Sequence, residues 1–283
     1  MIKPLPIVGA AALLLASQSV LADARVAVAH FASFADTREG TAVDILVNGD
    51  TFLEGVAFGD FTAEYTSLPA GTYTIDIVPV GASEAALTGE FTLEDDISYT
   101  VYAQGNGATQ DLELQALVDN VDMPMDGNLN LRIVHAAPFA ADLAATEVSI
   151  RTADGMVVND LVGVPYGGNS GFFQVPAGSY DLKVASNDGS VNYIDILPAE
   201  LPAGADVTVF AAGDGGNLDL AVFAFPVGEL ATRAPVDNRS NGRWEVVEGD
   251  GVGVILQPMP LQNRLAGTWY QYDEMGNPRF FTV

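Results

Sequence analysis

One six-residue stretch occurs twice in this sequence and constrains the fold more than any other feature. Leu68–Tyr73 reads Leu-Pro-Ala-Gly-Thr-Tyr, and Val175–Tyr180 reads Val-Pro-Ala-Gly-Ser-Tyr. Proline fixes φ at the first corner of a tight turn, and glycine accepts the left-handed conformation that closes the turn. Each copy therefore predicts a turn that leads directly into a β-strand.

Alternation with a period of two follows each turn. In the first copy Tyr73, Ile75 and Ile77 alternate with polar residues. The second copy shows the same alternation through Leu182 and Val184. One apolar face and one polar face are typical of a strand in an antiparallel sheet that covers a core on one side and meets solvent on the other.

The duplication extends over whole domains, because other segments recur in the same order at offsets of 105 to 108 residues. His30 is matched by His135, and the run at residues 56–59 is matched by the run at residues 164–167. Each copy has about seven short strands at the spacing expected of a β-sandwich. The sequence therefore predicts an all-β protein with two tandem immunoglobulin-like (Greek-key) β-sandwich domains and a short C-terminal β-meander.

The domain boundaries follow from the repeats and from the segments between them. The two sandwiches are predicted at residues 23–119 and 129–228, with an acidic linker at residues 120–128. A polar connector at residues 229–241 leads to the β-meander at residues 242–283. A meander of this size is marginal by itself. We therefore expect it to dock on the second sandwich or to be part of a larger module.

Residues 1–22 have the order of a secretory signal peptide. Lys3 supplies the positive charge, an apolar run follows from Ile7 to Ala16, and the segment ends in Val-Leu-Ala, a small-residue cleavage pattern. The apolar run is shorter than the ~20 residues that a membrane span needs. We expect cleavage after Ala22, no membrane span in the mature chain, and a location in the periplasm or outside the cell.

Charge and cysteine content exclude several kinds of partner and site. The chain has 37 acidic and 11 basic residues, for a formal net charge of −26, which repels nucleic acid and anionic membranes. It has no cysteine, so disulfides, thiolate metal sites and cysteine nucleophiles are excluded. Solubility, adaptation to high salt and divalent-cation binding would each account for the acidity.

Calcium is the cation that the acidic linker favours. Asp119, Asp122 and Asp126 lie close together in the sequence, and carboxylate oxygens suit a hard cation. The hairpin at residues 214–219 offers a second set of oxygen ligands, but no EF-hand pattern is present. We predict that the chain binds no cofactor. Structural calcium between the domains remains the alternative.

No motif in the sequence assembles a catalytic site. His30 and His135, the only histidines, occupy equivalent positions in different repeats and have no nucleophile motif near them. We expect each to be a half-buried strand residue whose ring nitrogen binds a neighbouring loop. The chain is therefore predicted not to be an enzyme.

The Trp/Gly-rich tail supplies candidate ligand-binding residues of another kind. Trp244, Trp269 and Tyr272 would stack on sugar rings if they were exposed. At alternating positions in a small meander, such residues more often form the core itself.

The motifs of the first repeat resemble a known family. Four segments, Arg25–His30, Val43–Gly49, Val56–Asp60 and Leu68–Tyr73, are similar to the bacterial exported family catalogued as domain of unknown function 4397. The second repeat departs from the pattern, since Glu147–Arg151 stands where Val-Asp-Ile-x-Val is expected. The resemblance implies an extracytoplasmic, immunoglobulin-like module and supplies no catalytic residue.

These observations predict a non-enzymatic cell-envelope or secreted module, structural or adhesive through surface contacts. Its partners would be envelope or extracellular glycans or proteins, and not nucleic acid. The alternative is a carbohydrate- or calcium-binding accessory module.

Overall fold

The computed structural model describes residues 23–62, 64–195 and 198–227, together with the backbone of four C-terminal strands. The predicted signal peptide and the connector at residues 229–241 lie outside the described residues. The described chain is all-β, as predicted, apart from two short 3-10 turns at Glu39–Thr41 and Leu143–Thr146. No helix in this part of the chain is long and apolar enough to cross a membrane.

The first repeat is a sandwich of two four-stranded sheets. Its strands are β1 Ala24–His30, β2 Val43–Val47, β3 Asp50–Val56, β4 Thr66–Leu68, β5 Gly71–Pro79, β6 Leu87–Leu93, β7 Ser98–Gln104 and β8 Glu113–Val118. The sheets have the orders β4-β1-β7-β8 and β3-β2-β5-β6. β1 and β7 pair in parallel, and the other pairs are antiparallel. Asn48 and Gly49 have φ of 53° and 86°, as a two-residue hairpin turn requires.

The second repeat has the same strand order, except that no strand of its described residues corresponds to the edge strand β3 and that the counterparts of β5 and β6 are each interrupted. Its strands are β9 Asn128–His135, β10 Val148–Thr152, β11 Phe173–Pro176, β12 Gly178–Tyr180, β13 Leu182–Ser186, β14 Asn192–Asp195, β15 Ala199–Leu201, β16 Asp206–Ala212 and β17 Ala221–Pro226. One sheet has the order β11-β9-β16-β17, and the other side of the sandwich is divided into β10-β13-β14 and β12-β15. The long strand β5 of the first repeat thus corresponds to β12 followed by β13, and β6 corresponds to β14 followed by β15.

Each repeat has its own apolar core between its two sheets. In the first repeat the alternating residues of β5 face this core, since Ile75 and Ile77 are buried and pack with Val26, Val43 and Val101. The second core is built from the equivalent strands. Burial of one face of β5, and its antiparallel pairing with β2 and β6, confirm the prediction made from the alternating sequence.

The repeated turn differs from its prediction in one detail. Gly71 and Gly178 have φ of 158° and 156°, which is a backbone conformation that residues other than glycine rarely adopt but is not the left-handed helical one. The turn is closed instead by the tyrosine of the motif: the Tyr73 hydroxyl donates to the Pro69 carbonyl oxygen at 2.7 Å, and the Tyr180 hydroxyl makes the same bond within the second copy at 2.6 Å.

The C-terminal segment is a four-stranded antiparallel meander, as predicted. Its strands are β18 Gly242–Glu245, β19 Gly253–Met259, β20 Arg264–Tyr272 and β21 Pro278–Thr282, paired in chain order.

Candidate functional site

A third apolar core joins the two repeats. It lies between the sheet that contains β1, β7 and β8 and the sheet that contains β9, β16 and β17. Its buried members are Ala29, Phe31, Phe58, Tyr102 and Leu117 from the first repeat and Val134, Ala136, Phe210, Ala212, Phe225 and Val227 from the second. The rings of Phe31 and Phe210 stack with centroids 4.5 Å apart. The two repeats therefore form one body of four β layers, the outer layer of the second repeat being divided into two sheets.

Equivalent residues meet each other across this interface. Tyr102 and Phe210, which are 108 positions apart, contact edge to face with ring centroids 4.9 Å apart. Asn106 and Asp214 are separated by the same offset, and the Asn106 side-chain amide donates to the Asp214 carboxylate at 3.1 Å. A residue that contacts its own equivalent lies at a two-fold axis. The two repeats are thus related as the subunits of a symmetric dimer.

Two hydrogen bonds from hairpin turns repeat this symmetry. The Asn217 side chain donates to the Ser33 carbonyl oxygen at 2.8 Å, and the Thr109 hydroxyl donates to the Pro138 carbonyl oxygen. Residues 109 and 217 are equivalent, and so are residues 33 and 138. Each repeat therefore reaches with its last hairpin to the loop that follows the first strand of the other.

The glycine of the Phe-Gly motif allows close approach between the repeats. Gly59 has a φ of 83°, and a Cβ atom added there would lie 2.6 Å from the Phe223 ring of the second repeat. Gly167, its equivalent, has a φ of 77° and faces Gln104 of the first repeat. Packing against the other repeat therefore explains the glycine at position 59, and positive φ explains the glycine at both positions.

A buried ion pair breaks the symmetry of the interface. Arg132 of β9 pairs with Asp119, which follows β8, and their side chains are 3% and 0% exposed. Tyr65 and Thr100 each donate to the second Asp119 oxygen at 2.7 Å. The Arg132 guanidinium also donates to the Val118 carbonyl oxygen at 2.8 Å. A buried pair is tolerated when its remaining hydrogen bonds are made in this way.

The Arg132 guanidinium also contacts an aromatic ring, and the ion pair has no counterpart on the other side of the two-fold axis. The guanidinium lies over the Phe172 ring, 4.4 Å from its centroid. At the symmetry-equivalent positions the chain has Ala27 and Val227, which are buried and apolar. The ion pair is therefore present on only one side of the approximate two-fold axis.

Burial also shifts acid–base equilibria near the interface. Burial raises the pKa of Asp206 to about 6, although the Asn130 amide donates to its carboxylate. The pKa of Tyr102 and that of Tyr166 are both raised, mainly by burial and further by the nearby Glu113 carboxylate. Both hydroxyls are therefore protonated at neutral pH.

The histidines lie in the cores of their own sandwiches and are more buried than predicted, at 1% and 2% exposed. His30 Nε2 donates to the Thr41 carbonyl oxygen at 2.9 Å, and His135 Nε2 donates to the Thr146 carbonyl oxygen at 2.8 Å. The predicted bond from a ring nitrogen to a neighbouring loop is thus confirmed. Burial lowers the pKa of both rings, so both are neutral.

The structure does not bring the three predicted calcium ligands into one group. Asp119 is enclosed and bound to Arg132, whereas Asp122 and Asp126 are exposed on the linker. Among the described residues there is no group of three or more His, Cys, Asp or Glu side chains that could hold a metal ion. Structural calcium stays a prediction, and the ion pair gives Asp119 a different role.

The candidate sugar-binding residues lie on three strand positions of the meander. Trp244 is on β18, and Trp269 and Tyr272 are on β20. In the strand register, Val254 of β19 is paired with Trp244 of β18 on one side and with Trp269 of β20 on the other. Their side chains lie outside the described residues, so carbohydrate binding by this tail stays a prediction.

The sequence analysis missed the interface, although one signal was present. β7 and β16 are buried at nearly every position, and a strand buried on both faces reads as an almost continuous apolar run. The runs Val101–Ala103 and Val209–Ala212 have this character.

Comparisons with known proteins agree with the duplicated architecture. The family model described as domain of unknown function (DUF4397) matches residues 24–146 and again residues 144–234. No curated protein matches the chain significantly.

Three solved structures give weak likenesses. The C-terminal domain of AlgF from P. aeruginosa is 21% identical over 36% of this chain and 100% of its own length, with a TM-score of 0.27. The Bacillus anthracis TIE protein is 13% identical over 93% of this chain and 43% of its own, with a TM-score of 0.20. A putative cell adhesion protein from Bacteroides fragilis is 10% identical over 74% of this chain and 98% of its own, with a TM-score of 0.17. TM-scores this low do not establish a shared fold.

Proposed function

The chain belongs to the DUF4397 family as two tandem copies, and from this premise we propose that it is an exported, non-enzymatic module of the cell envelope or the secreted proteins. It would act structurally or adhesively, through contacts made by its surface. Residues 1–22 would direct export and be removed after Ala22, which places the mature chain in the periplasm or outside the cell.

The observation that carries this proposal is the interface between the repeats. Phe31 and Phe210 stack in a core that both repeats share, and Arg132 and Asp119 form a buried ion pair across it. Such an interface holds two sandwiches in one fixed orientation. It also leaves the outer sheets, β3-β2-β5-β6 and β10-β13-β14, at opposite ends of the body. A rigid body with two outward faces suits a spacer or an adhesive module.

The histidines support a non-enzymatic role. Both rings are buried, both are neutral, and each Nε2 is used by a backbone carbonyl group. Neither ring therefore presents a base at the surface, where a substrate would arrive.

The proposal is tested in cells that carry the gene, by deletion and complementation. We expect deletion to lower retention of the cells on a surface or to weaken the envelope against detergent. The full chain should restore the phenotype, whereas a chain without residues 2–22 should not. An Arg132→Met/Asp119→Ala variant that is still exported should restore it only in part, because the relative orientation of the repeats is loosened. Complementation by the chain without residues 2–22 would contradict the proposal.

A further inference from the structure

Two methionines stand close together on the surface of the linker that joins the repeats. Met123 and Met125 are separated by Pro124, and they are 43% and 67% exposed. Methionine is more often a core residue, and its thioether accepts hydrogen bonds from water only weakly. The linker therefore presents a pair of sulfur atoms to solvent.

Hydrogen bonds hold the backbone on both sides of this pair. The side-chain amide of Asn130, a buried residue, donates to the Asp122 carbonyl oxygen at 2.8 Å. The Met125 backbone amide donates to Gln174 Oε1 at 3.1 Å, and the Met125 carbonyl oxygen accepts from the Asn128 backbone amide at 2.9 Å. The two methionines are thus displayed by a segment that the second repeat holds in place.

The spacing of the pair allows both sulfur atoms to reach one ion. Residues two positions apart have Cα atoms separated by at most ~7 Å. Proline disfavours the helical conformation of the residue before it, so Met123 is kept extended. Because methionine has a long and flexible side chain, two sulfur atoms at this spacing can converge on a single small cation.

The chemistry of the donors selects the kind of cation. Thioether sulfur is a soft ligand that suits Cu(I), whereas calcium takes oxygen ligands. The chain has no cysteine, and both histidines are buried with Nε2 bonded to a carbonyl oxygen. Thioethers are therefore the soft ligands that the described surface offers.

The charge around the pair favours a cation as well. The exposed residues Asp122 and Asp126 flank the two methionines directly. The formal net charge of the chain is −26, and such a field raises the local concentration of cations. A neutral pair of sulfur atoms in these surroundings binds a monovalent cation without a charge of its own.

We infer that Met123 and Met125 bind one Cu(I) ion through their two sulfur atoms. Cysteine and histidine ligands must lose a proton before they bind a metal, whereas a thioether carries none. Binding at this site therefore releases no proton. Because both side chains are exposed, the ion enters and leaves without any movement of the repeats.

Ag(I) and Cu(I) are the probes that test this inference. Residues 23–283 are titrated with silver nitrate in chloride-free buffer and, without air, with Cu(I). We expect native mass spectrometry to show one ion per chain, bound with a dissociation constant on the order of micromolar. The methyl ¹H–¹³C signals of Met123 and Met125 should shift, and calcium at the same concentration should leave them unchanged. Absence of saturable binding to the wild type would overturn the inference.

Three leucine variants locate the ion. Met123→Leu and Met125→Leu remove a sulfur atom and keep the apolar volume, and each should weaken Ag(I) binding at least about tenfold. Met156→Leu is the matched control, since Met156 is 63% exposed in another loop, and it should bind within about twofold of wild type. All three positions are exposed, so the melting temperatures should stay at the wild-type value.

The pH dependence separates sulfur ligands from titrating ones. Thioethers do not titrate, so the affinity for Ag(I) should be the same within about twofold at pH 8 and at pH 5. Binding that persists in the Met123→Leu/Met125→Leu double variant would overturn the inference. An affinity that falls about tenfold or more between pH 8 and pH 5 would do the same, because it would assign the ion to ligands that take up protons.

Discussion

Removal of the Asp119 carboxylate tests the ion pair that joins the repeats. In Asp119→Ala the Arg132 guanidinium, only 3% exposed, keeps the Val118 carbonyl and Thr208 as partners but loses its counter-charge. Tyr65 and Thr100 lose their shared acceptor as well. Breaking a buried pair on one side costs about 3–5 kcal/mol, and we expect the free energy of unfolding to fall by that amount. Urea denaturation of residues 23–283 measures it.

Two control variants show whether the lost stability belongs to the ion pair. Asp126→Ala, an exposed linker position, should change the free energy of unfolding by no more than about 0.5 kcal/mol. In the double variant with Arg132→Met, the total loss should be at least about 1 kcal/mol smaller than the sum of the single losses, because the two residues act as a pair. The loss should be the same in calcium and in chelator. A cost for Asp119→Ala as small as that of Asp126→Ala, or one seen only in calcium, would refute the reasoning.

Three further variants test other parts of the structure. Phe31→Ala removes a fully buried ring from the shared core and should lower the free energy of unfolding by about 3–5 kcal/mol, as measured by urea denaturation. The same change at Phe61, which is 39% exposed, should cost clearly less. A cost for Phe31→Ala as small as that for Phe61→Ala would place Phe31 outside a core. The Asp206→Asn variant should be as stable as the wild type near pH 4 and more stable at pH 7.5, by up to about 3 kcal/mol. The reason is that burial raises the pKa of Asp206 to about 6 in the folded state. The wild type therefore loses stability as the pH rises from about 4 to 6 and this carboxyl group is deprotonated. The buried histidines, whose pKa is lowered, change the stability with pH in the opposite direction, but they do so equally in both proteins. The difference between the stability–pH profiles of the wild type and Asp206→Asn therefore isolates Asp206. Parallel profiles would contradict a raised pKa at Asp206. Gly213→Ala should cost at least about 2 kcal/mol, since its φ is 92° and the new Cβ would lie 2.1 Å from the Asp219 carbonyl oxygen; an unchanged melting temperature would show that the hairpin is wrongly placed.

The strands and their hairpins could be predicted because their signals are local. The alternation after Gly71 predicts which face of β5 is buried, and the structure agrees at Ile75 and Ile77. The Asn48–Gly49 pair predicts a two-residue hairpin, and both residues have positive φ. Internal duplication supplied the rest, since a second copy with matched order shows which runs are elements of one fold.

The apolar runs in β7 and β16 indicate strands buried on both faces, but the partner that covers the second face could not be predicted because its evidence is non-local. Thr100 and Gln104 are polar and alternate with apolar residues, so they read as a solvent face, yet both are fully buried against the second repeat. Threonine and glutamine are tolerated there because the Asp119 and Glu113 carboxylates accept hydrogen bonds from their side chains. Asp119 likewise read as a linker carboxylate, since only the fold brings Arg132 to it.

The central claim is that the two repeats pack on each other about a two-fold axis, and the absence of cysteine allows a direct test. In an Asn106→Cys/Asp214→Cys variant of residues 23–283, the new thiols occupy positions whose side chains are in hydrogen-bond contact. Mild oxidation followed by mass spectrometry and non-reducing electrophoresis should show near-complete intramolecular cross-linking. The control pair Thr88→Cys/Ser190→Cys, on exposed positions of different repeats, should not cross-link within the chain. Equal or absent cross-linking in the two variants would contradict the claim that the repeats form one body.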